Sequence, residues 1–289
     1  MAAALGAVSF GAARVLLIER DNKLGGILNQ CTHRGFGLNY FGIELTGIEY
    51  AERLRQLVSM SNIDVLTDTI VLKVSKDRKL TLSGKELIDI TAKAVVLASG
   101  CRERPAGALP VTGTRPSGVF AAGMAQRMLN LGGYNIGSRA VILGSGDVGM
   151  IVAREMKKRG ADVEAVIEQA EIVGGLERNR ISCLEAYQIP VLFHSTIRTI
   201  HGAGRITGVT YQDLSAGFLD HIPCDTLIVS VGLVPERELL EGVMTDADEI
   251  PDFLFVCGNA SHVYAIVDSL SEDSGQTGKL AAAFAAGEL

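Results

Sequence analysis

Apolar runs of strand length alternate along the chain with glycine turns and with stretches of helical periodicity. The clearest run is Ala140–Leu143, which leads into Gly144-Ser-Gly-Asp-Val-Gly149 and then into MIVAREMKKRG, helix-forming in composition and spacing. A second apolar run, Asp162–Ile167, ends on an acid, Glu168. Lys93–Gly100 and Asp225–Gly232 are continuous apolar runs closed by glycine, the pattern of parallel strands covered on both faces. Alternating segments predict two small antiparallel meanders, Val65–Val74 with Lys79–Ile90 and Ile197–His201 with Arg205–Tyr211. The stretch from Glu49 to Val58 is amphipathic at helical spacing and reads as a packing helix. Asp268–Ala286 reads as a closing helix in which Gly275 and Gly278 permit close approach.

The order strand, glycines, helix, strand, acid has a physical meaning. Gly144 permits a tight turn, Gly146 lets backbone approach a pyrophosphate, and Gly149 allows the helix to pack closely on the strand. The helix start, with Ser145, Asp147 and Val148 in its loop, offers free N–H groups and a partial positive charge to phosphates. Glu168, 24 residues beyond Gly144, stands where an acid accepts hydrogen bonds from an adenosine ribose.

The chain also repeats itself. Residues 1–26 laid over 150–175, an offset of 149, match Met1 with Met150, Ala4 with Ala153 and Gly11 with Gly160. Ile18-Glu19 falls on Ile167-Glu168, and Gly25-Gly26 on Gly174-Gly175. Repetition at the helix end, the strand end and the following glycine pair implies two copies of one supersecondary unit. Glu19 is then the ribose acid of the first copy. The second copy has a strand and glycine loop ahead of Met150, whereas the first begins at Met1, just past the place of its third glycine. The expectation is that the central strand and nucleotide loop of the first copy are missing.

The bulk numbers narrow the class. A length of 289 residues allows one large or two ordinary domains. The net charge of −6 argues against nucleic acid or an anionic membrane as partner, and 5% aromatic residues without tryptophan argue against base stacking. No run approaches the length needed to span a bilayer. The opening twenty residues have no basic segment before the apolar run and read as structure, not as a signal peptide. Five scattered cysteines, none in a C-x-x-C, suit buried thiols in a reducing cytoplasm. The dispersed histidines have no metal-ligand spacing, and no metal site is expected. Arg102-Glu103-Arg104 reads as a solvated turn.

These features together resemble the pyridine nucleotide-disulfide oxidoreductase superfamily of two-dinucleotide-binding-domain flavoproteins. The residues that carry the resemblance are Glu19 with Gly25-Gly26, Ala98-Ser99-Gly100, Gly144 to Gly149, Gly232-Leu-Val-Pro235 and Phe255-Val-Cys-Gly-Asn259. The segment Leu24 to Gly37 is most similar to the non-disulfide branch, with the flavin subunits of opine, proline and glycerol-3-phosphate dehydrogenase-type systems. The resemblance implies an α/β fold of two Rossmann-like domains, the second inserted in the first, each with a parallel sheet and a small antiparallel meander. FAD would belong to residues 1–112 and 247–289, held by Glu19, Arg20, Gly25, Gly26, Ala98, Ser99, Gly100, Gly258 and Asn259. NAD would belong to residues 113–246, held by Gly144, Ser145, Gly146, Asp147, Val148, Gly149, Glu168 and Gly232.

Two departures matter. Asn259 stands where the family has an aspartate beside the flavin, and Cys31 has no partner cysteine nearby, so a dithiol relay is not expected. Cys31 and His33, in the loop that would run near the flavin, are the candidates for a catalytic role. The activity implied is hydride transfer between NAD(H) and FAD, with electrons passed to or from a small molecule or a protein. Two other readings stay open: an electron-transfer subunit of a larger dehydrogenase that works with partner subunits, and a nucleotide-binding remnant without activity. With the glycine loop absent from the first copy, the chain is expected to hold FAD poorly.

Overall fold

The computed structural model describes residues 1–244 and 249–289. The fold is α/β and divides into two compact units, Met1–Arg102 with Pro235–Leu289, and Glu103–Val234. The first expected boundary, at 112/113, lies ten residues too late. Ala106, Leu109 and Val111 pack into the core of the second unit, and Thr112–Gly113 pairs with Thr199–Ile200 of its meander. The second expected boundary, at 246/247, lies outside the described residues. The chain returns to the first unit by Pro235, and Leu240 and Val243 are buried in that unit's core.

The second unit contains a five-stranded parallel sheet in the order Val119–Ala121, Thr226–Val229, Arg139–Leu143, Asp162–Ile167, Val191–Leu192. The strands are apolar throughout because both faces are covered. Ala140 and Ile142 meet Ala125, Leu129, Met150 and Met156 of the helices Ala122–Asn130 and Asp147–Lys158. Val141 and Leu143 point the other way, toward Ile197, Ile206 and Val209 of the antiparallel strands Ser195–Gly202 and Ile206–Asp213. Side chains alternate between the faces with the period of two that extended backbone imposes. Arg102-Glu103-Arg104 is not a solvated turn. Cys101–Glu103 is a strand, and Arg102 pairs with Glu238 at 2.7 Å. The Glu103 carboxylate accepts the Gly123 N–H at 2.7 Å, supplying a cap that the helix start at Ala121 lacks. Burial pushes the Glu103 carboxyl above its ordinary range.

Several backbone bonds recur at equivalent places in the two units. Glu19 N–H donates to Leu66 O and Glu168 N–H to Leu192 O; Thr69 N–H donates to Glu19 O and Ser195 N–H to Glu168 O. The helix ends match too, with Ala12 N–H bonded to Ala7 O and Ala161 N–H to Met156 O. Asp68 and His194, equivalent in this scheme, both adopt left-handed backbone, with φ of +50° and +51°.

The sheets of the two units differ at one place. In the first unit Val15–Ile18 pairs in parallel with Ile63–Leu66, and Val95–Leu97 pairs in parallel with Leu254–Val256. These remain two separate two-stranded sheets. Their counterparts in the second unit, Asp162–Ile167 and Thr226–Val229, are joined by Arg139–Leu143 between them. Among the described residues of the first unit no strand holds that middle position. The burial reflects this: Thr226–Val229 are at most 1% exposed, whereas Leu16 and Val65 are 40% and 39% exposed.

The helix Ala2–Phe10 packs across the closing helix Val267–Ala286 through glycines. A Cβ on Gly278 would stand 1.9 Å from the Ala3 carbonyl oxygen, and one on Gly6 would stand 2.1 Å from that of Gly275. A Cβ on Gly275 itself would meet only the Ala2 carbonyl oxygen, at 3.9 Å. Gly278→Ala is therefore expected to lower the stability of the first unit by about 2–3 kcal/mol through overpacking. Gly275→Ala should be neutral or gain a few tenths of a kcal/mol from helix propensity, up to about 1 kcal/mol. Denaturant unfolding of the two variants beside the parent checks the contrast; equal midpoints would refute the crossing geometry.

Candidate functional site

In the second unit the parallel strands deliver their carboxyl ends to one place. Gly144 N–H bonds Ile167 O and Ser230 N–H bonds Leu143 O, so the glycine loop sits over the ends of three strands. The crevice beyond the carboxyl ends of parallel strands is where α/β sheets take ligands. Gly144 has φ of +92°, and a Cβ there would lie 2.1 Å from Ser230 O. A Cβ on Gly149 would lie 2.8 Å from Gly144 O, which is why the helix Asp147–Lys158 can start so close to the strand. Around Gly146, by contrast, a Cβ would meet nothing nearer than 3.6 Å. Among the described residues no protein neighbour demands glycine there. Val148 turns its side chain into the core, leaving its backbone at the loop. Gly232, left-handed at φ of +109°, closes the strand Thr226–Val229, and its carbonyl accepts the Arg104 N–H.

Glu168 lies at the end of its strand and is tied to the loop. Its Oε2 accepts the Ser145 N–H at 2.9 Å and the Ser145 hydroxyl at 2.5 Å, while Oε1 accepts the Ala170 N–H at 2.9 Å. Burial pushes the carboxyl upward, but these hydrogen bonds outweigh it and hold it below the usual carboxylate range. In the sequence Gly174-Gly175 stands out only as a marker of the repeat. In the structure Gly174–Leu176 is a strap along the loop: Gly174 N–H donates to Ser145 Oγ, Gly175 N–H to Ser145 O and Leu176 N–H to Asp147 Oδ1. Asn179 Nδ2 donates to the same Asp147 oxygen at 2.7 Å. A Cβ on Gly175 would be 2.7 Å from the Asp147 backbone nitrogen, so glycine is needed at that position.

A second cluster lies within the first unit. Because Val95–Leu97 and Leu254–Val256 pair in parallel, the turns that follow them, Ala98-Ser99-Gly100 and Gly258-Asn259, lie side by side. Gly100 and Gly258 are both left-handed, at φ of +81° and +59°. The segment after Pro235, which carries no signal in the sequence, fastens both turns. Ser99 Oγ donates to Glu236 O at 2.6 Å, and Glu236 N–H donates to Gly100 O at 2.9 Å. Arg237 donates through Nε to Ala260 O at 2.6 Å and through Nη2 to Ser261 O. Asn259 Oδ1 accepts the Tyr264 N–H at 3.0 Å. Glu19 ends the other strand pair and accepts the Asp21 N–H on Oε1, as Glu168 accepts that of Ala170. Arg20 beside it is exposed. Burial lowers the pKa of the Met1 amine, against the opposing effect of Cys257 and Glu19 nearby. Gly25, at φ of +122°, and Gly26 form a turn held by Arg55, which donates to Leu24 O at 2.7 Å and to Asn29 Oδ1 at 2.9 Å.

Of the two catalytic candidates, Cys31 is buried and its thiol is pushed up to about 12 by burial, so the reactive thiolate is not its resting form. Its thiol donates to Ile27 O, and a Cβ on Gly47 would press against its Cβ. His33 stands in tilted contact with Phe36, with ring centroids 5.0 Å apart. The loop just beyond them is anchored by Asp268, 3% exposed, which accepts the N–H groups of Gly37 and Asn39, both at 2.9 Å. All five cysteines are free thiols. Among the described residues no helix is long and apolar enough to cross a membrane, and no three potential ligand side chains gather as a metal site.

Comparison with known proteins decides the family. Residues 1–287 match the pyridine nucleotide-disulphide oxidoreductase family. The chain belongs to it. The family's cofactors are FAD and a pyridine nucleotide, and its members are oxidoreductases. Rhodocoxin reductase of Rhodococcus erythropolis is 30% identical over 63% of this chain and 43% of its own length. An opine oxidase subunit of Agrobacterium tumefaciens is 26% identical over 59% of this chain and 35% of its own. The chain thus matches less than half the length of either relative. Among solved structures, the thioredoxin reductase of T. acidophilum superposes with a TM-score of 0.76 at 19% identity, covering 99% of this chain and 95% of that one. At that identity the likeness concerns the fold.

Proposed function

We propose that the chain catalyses hydride transfer between NAD(H), held by the second unit, and FAD, held by the first, with electrons passed onward to or from a second substrate. The observation that carries the nucleotide assignment is the Gly144–Gly149 loop over three strand ends, with Glu168 fixed beside it. The residues present fit a dinucleotide there: the bare backbone at Gly146 meets a pyrophosphate at the helix start, and the ionised Glu168 receives ribose hydroxyls. In the first unit Glu19 fits the ribose of FAD, and the turns at Ser99-Gly100 and Gly258-Asn259 fit its ribityl end. The described residues of that unit provide no glycine loop for its phosphates. FAD, when bound, supplies the hydride acceptor and the onward electron chemistry. The chain's own part is to bind, orient and shield; Cys31, protonated and packed, has no part in a dithiol relay. Free thiols at all five cysteines fit a reducing compartment, the cytoplasm.

Glu168 also selects between nucleotides. It is followed by Gln169-Ala170-Glu171, with no arginine to receive a 2′-phosphate. A unit charge pair 4 Å apart is worth about 4 kcal/mol at an effective dielectric of 20, so even strong screening leaves a preference of about tenfold or more for NADH over NADPH. Titration of the protein with each nucleotide checks this, and comparable dissociation constants would reject it. The likeness to the opine oxidase polypeptide supports a second reading, in which the electrons pass to a partner protein. NADH oxidation with a dye acceptor by the chain alone would count against that reading.

A further inference from the structure

Ser145 lies in the nucleotide loop, yet all its polar groups are engaged within the protein. Its N–H and hydroxyl both donate to Glu168 Oε2, its Oγ accepts the Gly174 N–H at 2.8 Å, and its carbonyl accepts the Gly175 N–H at 3.1 Å. The side chain is fully buried. It bonds the ribose acid and the Gly174–Leu176 strap at once. We propose that Ser145 is a specificity-determining positioning residue that fixes the Glu168 carboxylate at the ribose end of the site, so that an adenosine ribose with a free 2′-hydroxyl meets a held acceptor and a 2′-phosphate meets a held anion. The inference rests on the nucleotide reading given above.

The physical reason is that discrimination by charge depends on rigidity. A glutamate with free torsions turns away from an incoming phosphate and loses most of its power to exclude it. Glu168 is held at both oxygens, by Ser145 on Oε2 and by the backbone N–H of Ala170 on Oε1. A carboxylate oxygen offers about two acceptor positions, and the two bonds from Ser145 occupy Oε2. Without the hydroxyl, Oε2 keeps only the Ser145 N–H, so the carboxylate is held by one backbone bond at each oxygen and its torsions loosen. One charge-assisted hydrogen bond is lost, and with it part of what keeps the carboxyl ionised.

Ser145→Ala and Ser145→Gly remove the hydroxyl and keep the N–H. The flavin-free protein is titrated with NADH and with NADPH, and the NADH titration is repeated across pH. Both variants are expected to bind NADH a few-fold more weakly and to narrow the ratio of NADPH to NADH dissociation constants by about fivefold or more. Hydrogen bonding holds the Glu168 carboxyl below its ordinary range in the parent, and loss of a bond raises it. NADH affinity in the variants should therefore fall away at a higher pH on acidification than in the parent, a change that loosened packing alone would not produce. An unchanged ratio and pH profile in both variants, with NADH binding intact in the parent, would overturn the role of Ser145 and leave the nucleotide reading standing. A parent that binds neither nucleotide would overturn both.

Discussion

Gly144→Ala is expected to lower the affinity of the second unit for NADH by more than about 100-fold, a change of roughly 2.7 kcal/mol or more in binding free energy. Two independent costs fall on the same atom. At φ of +92° a side chain strains the backbone, by roughly 1–2 kcal/mol for an L-residue. The added Cβ would also stand 2.1 Å from Ser230 O and 2.8 Å from its carbonyl carbon, at the end of the neighbouring strand, where backbone cannot move aside cheaply. Relief requires the loop to lift, which carries Ser145 away from Glu168 and turns the N–H groups of the helix start off the phosphate position. Gly204→Ala is the control: it lies in open space in a hairpin turn and should bind NADH as the parent does. Circular dichroism shows whether the Gly144 variant is folded when its nucleotide titration is read. NADH affinity within a few-fold of the parent would mean that the loop does not carry the phosphate.

The second large effect concerns FAD. The protein from Met1 to Leu289 is expected to bind it with a dissociation constant of about 10 µM or weaker. The two separate strand pairs of the first unit are the reason. In the second unit the strand between the corresponding pairs runs straight into the glycine loop proposed for the pyrophosphate. In the first unit the described residues provide the rim of such a site, Glu19, Ser99, Gly100, Gly258 and Asn259, together with a helix start at Ala2. Among the described residues, contacts at the two ends of a ligand leave the charge at its middle to that helix start. The half-exposed Leu16 and Val65 also leave apolar strand surface open, which favours aggregation. Titration of the purified chain with FAD, followed by flavin fluorescence, decides the matter. Stoichiometric FAD that survives purification would show that the phosphates are held in another way.

Much of this was legible in the sequence because repetition is insensitive to detail. The offset of 149 between Glu19 and Glu168 matched two acids that the structure places in the same hydrogen-bond frame. It lapsed beyond Gly26 because the loops that follow differ in length: by Leu66 and Leu192 the offset is 126, and only backbone bonds reveal the equivalence. The glycine loop was readable since its residues are constrained by chemistry close in sequence. The strap was not, because its hold on Ser145 and Asp147 runs largely through backbone N–H groups that any sequence possesses. Arg102 looked like part of a surface charge run, since its partner Glu238 lies 136 residues away. The same distance problem hid Asp268, whose two bonds to Gly37 and Asn39 span some 230 residues, and Arg237, whose target is a carbonyl pair. The domain limits shifted because Leu109 and Val111 carry no mark of the core they join.

The central claim is that this chain passes hydride from NADH to FAD through a nucleotide site built on Gly144–Gly149. Anaerobic mixing of NADH with the protein in excess FAD, followed at the visible flavin band, tests it most directly. The account predicts bleaching well above the rate for free FAD, saturating in NADH, about tenfold or more less effective at equal NADPH, and lost in Gly144→Ala. Bleaching no faster than with free FAD, or equally fast with the Gly144 variant, would contradict it.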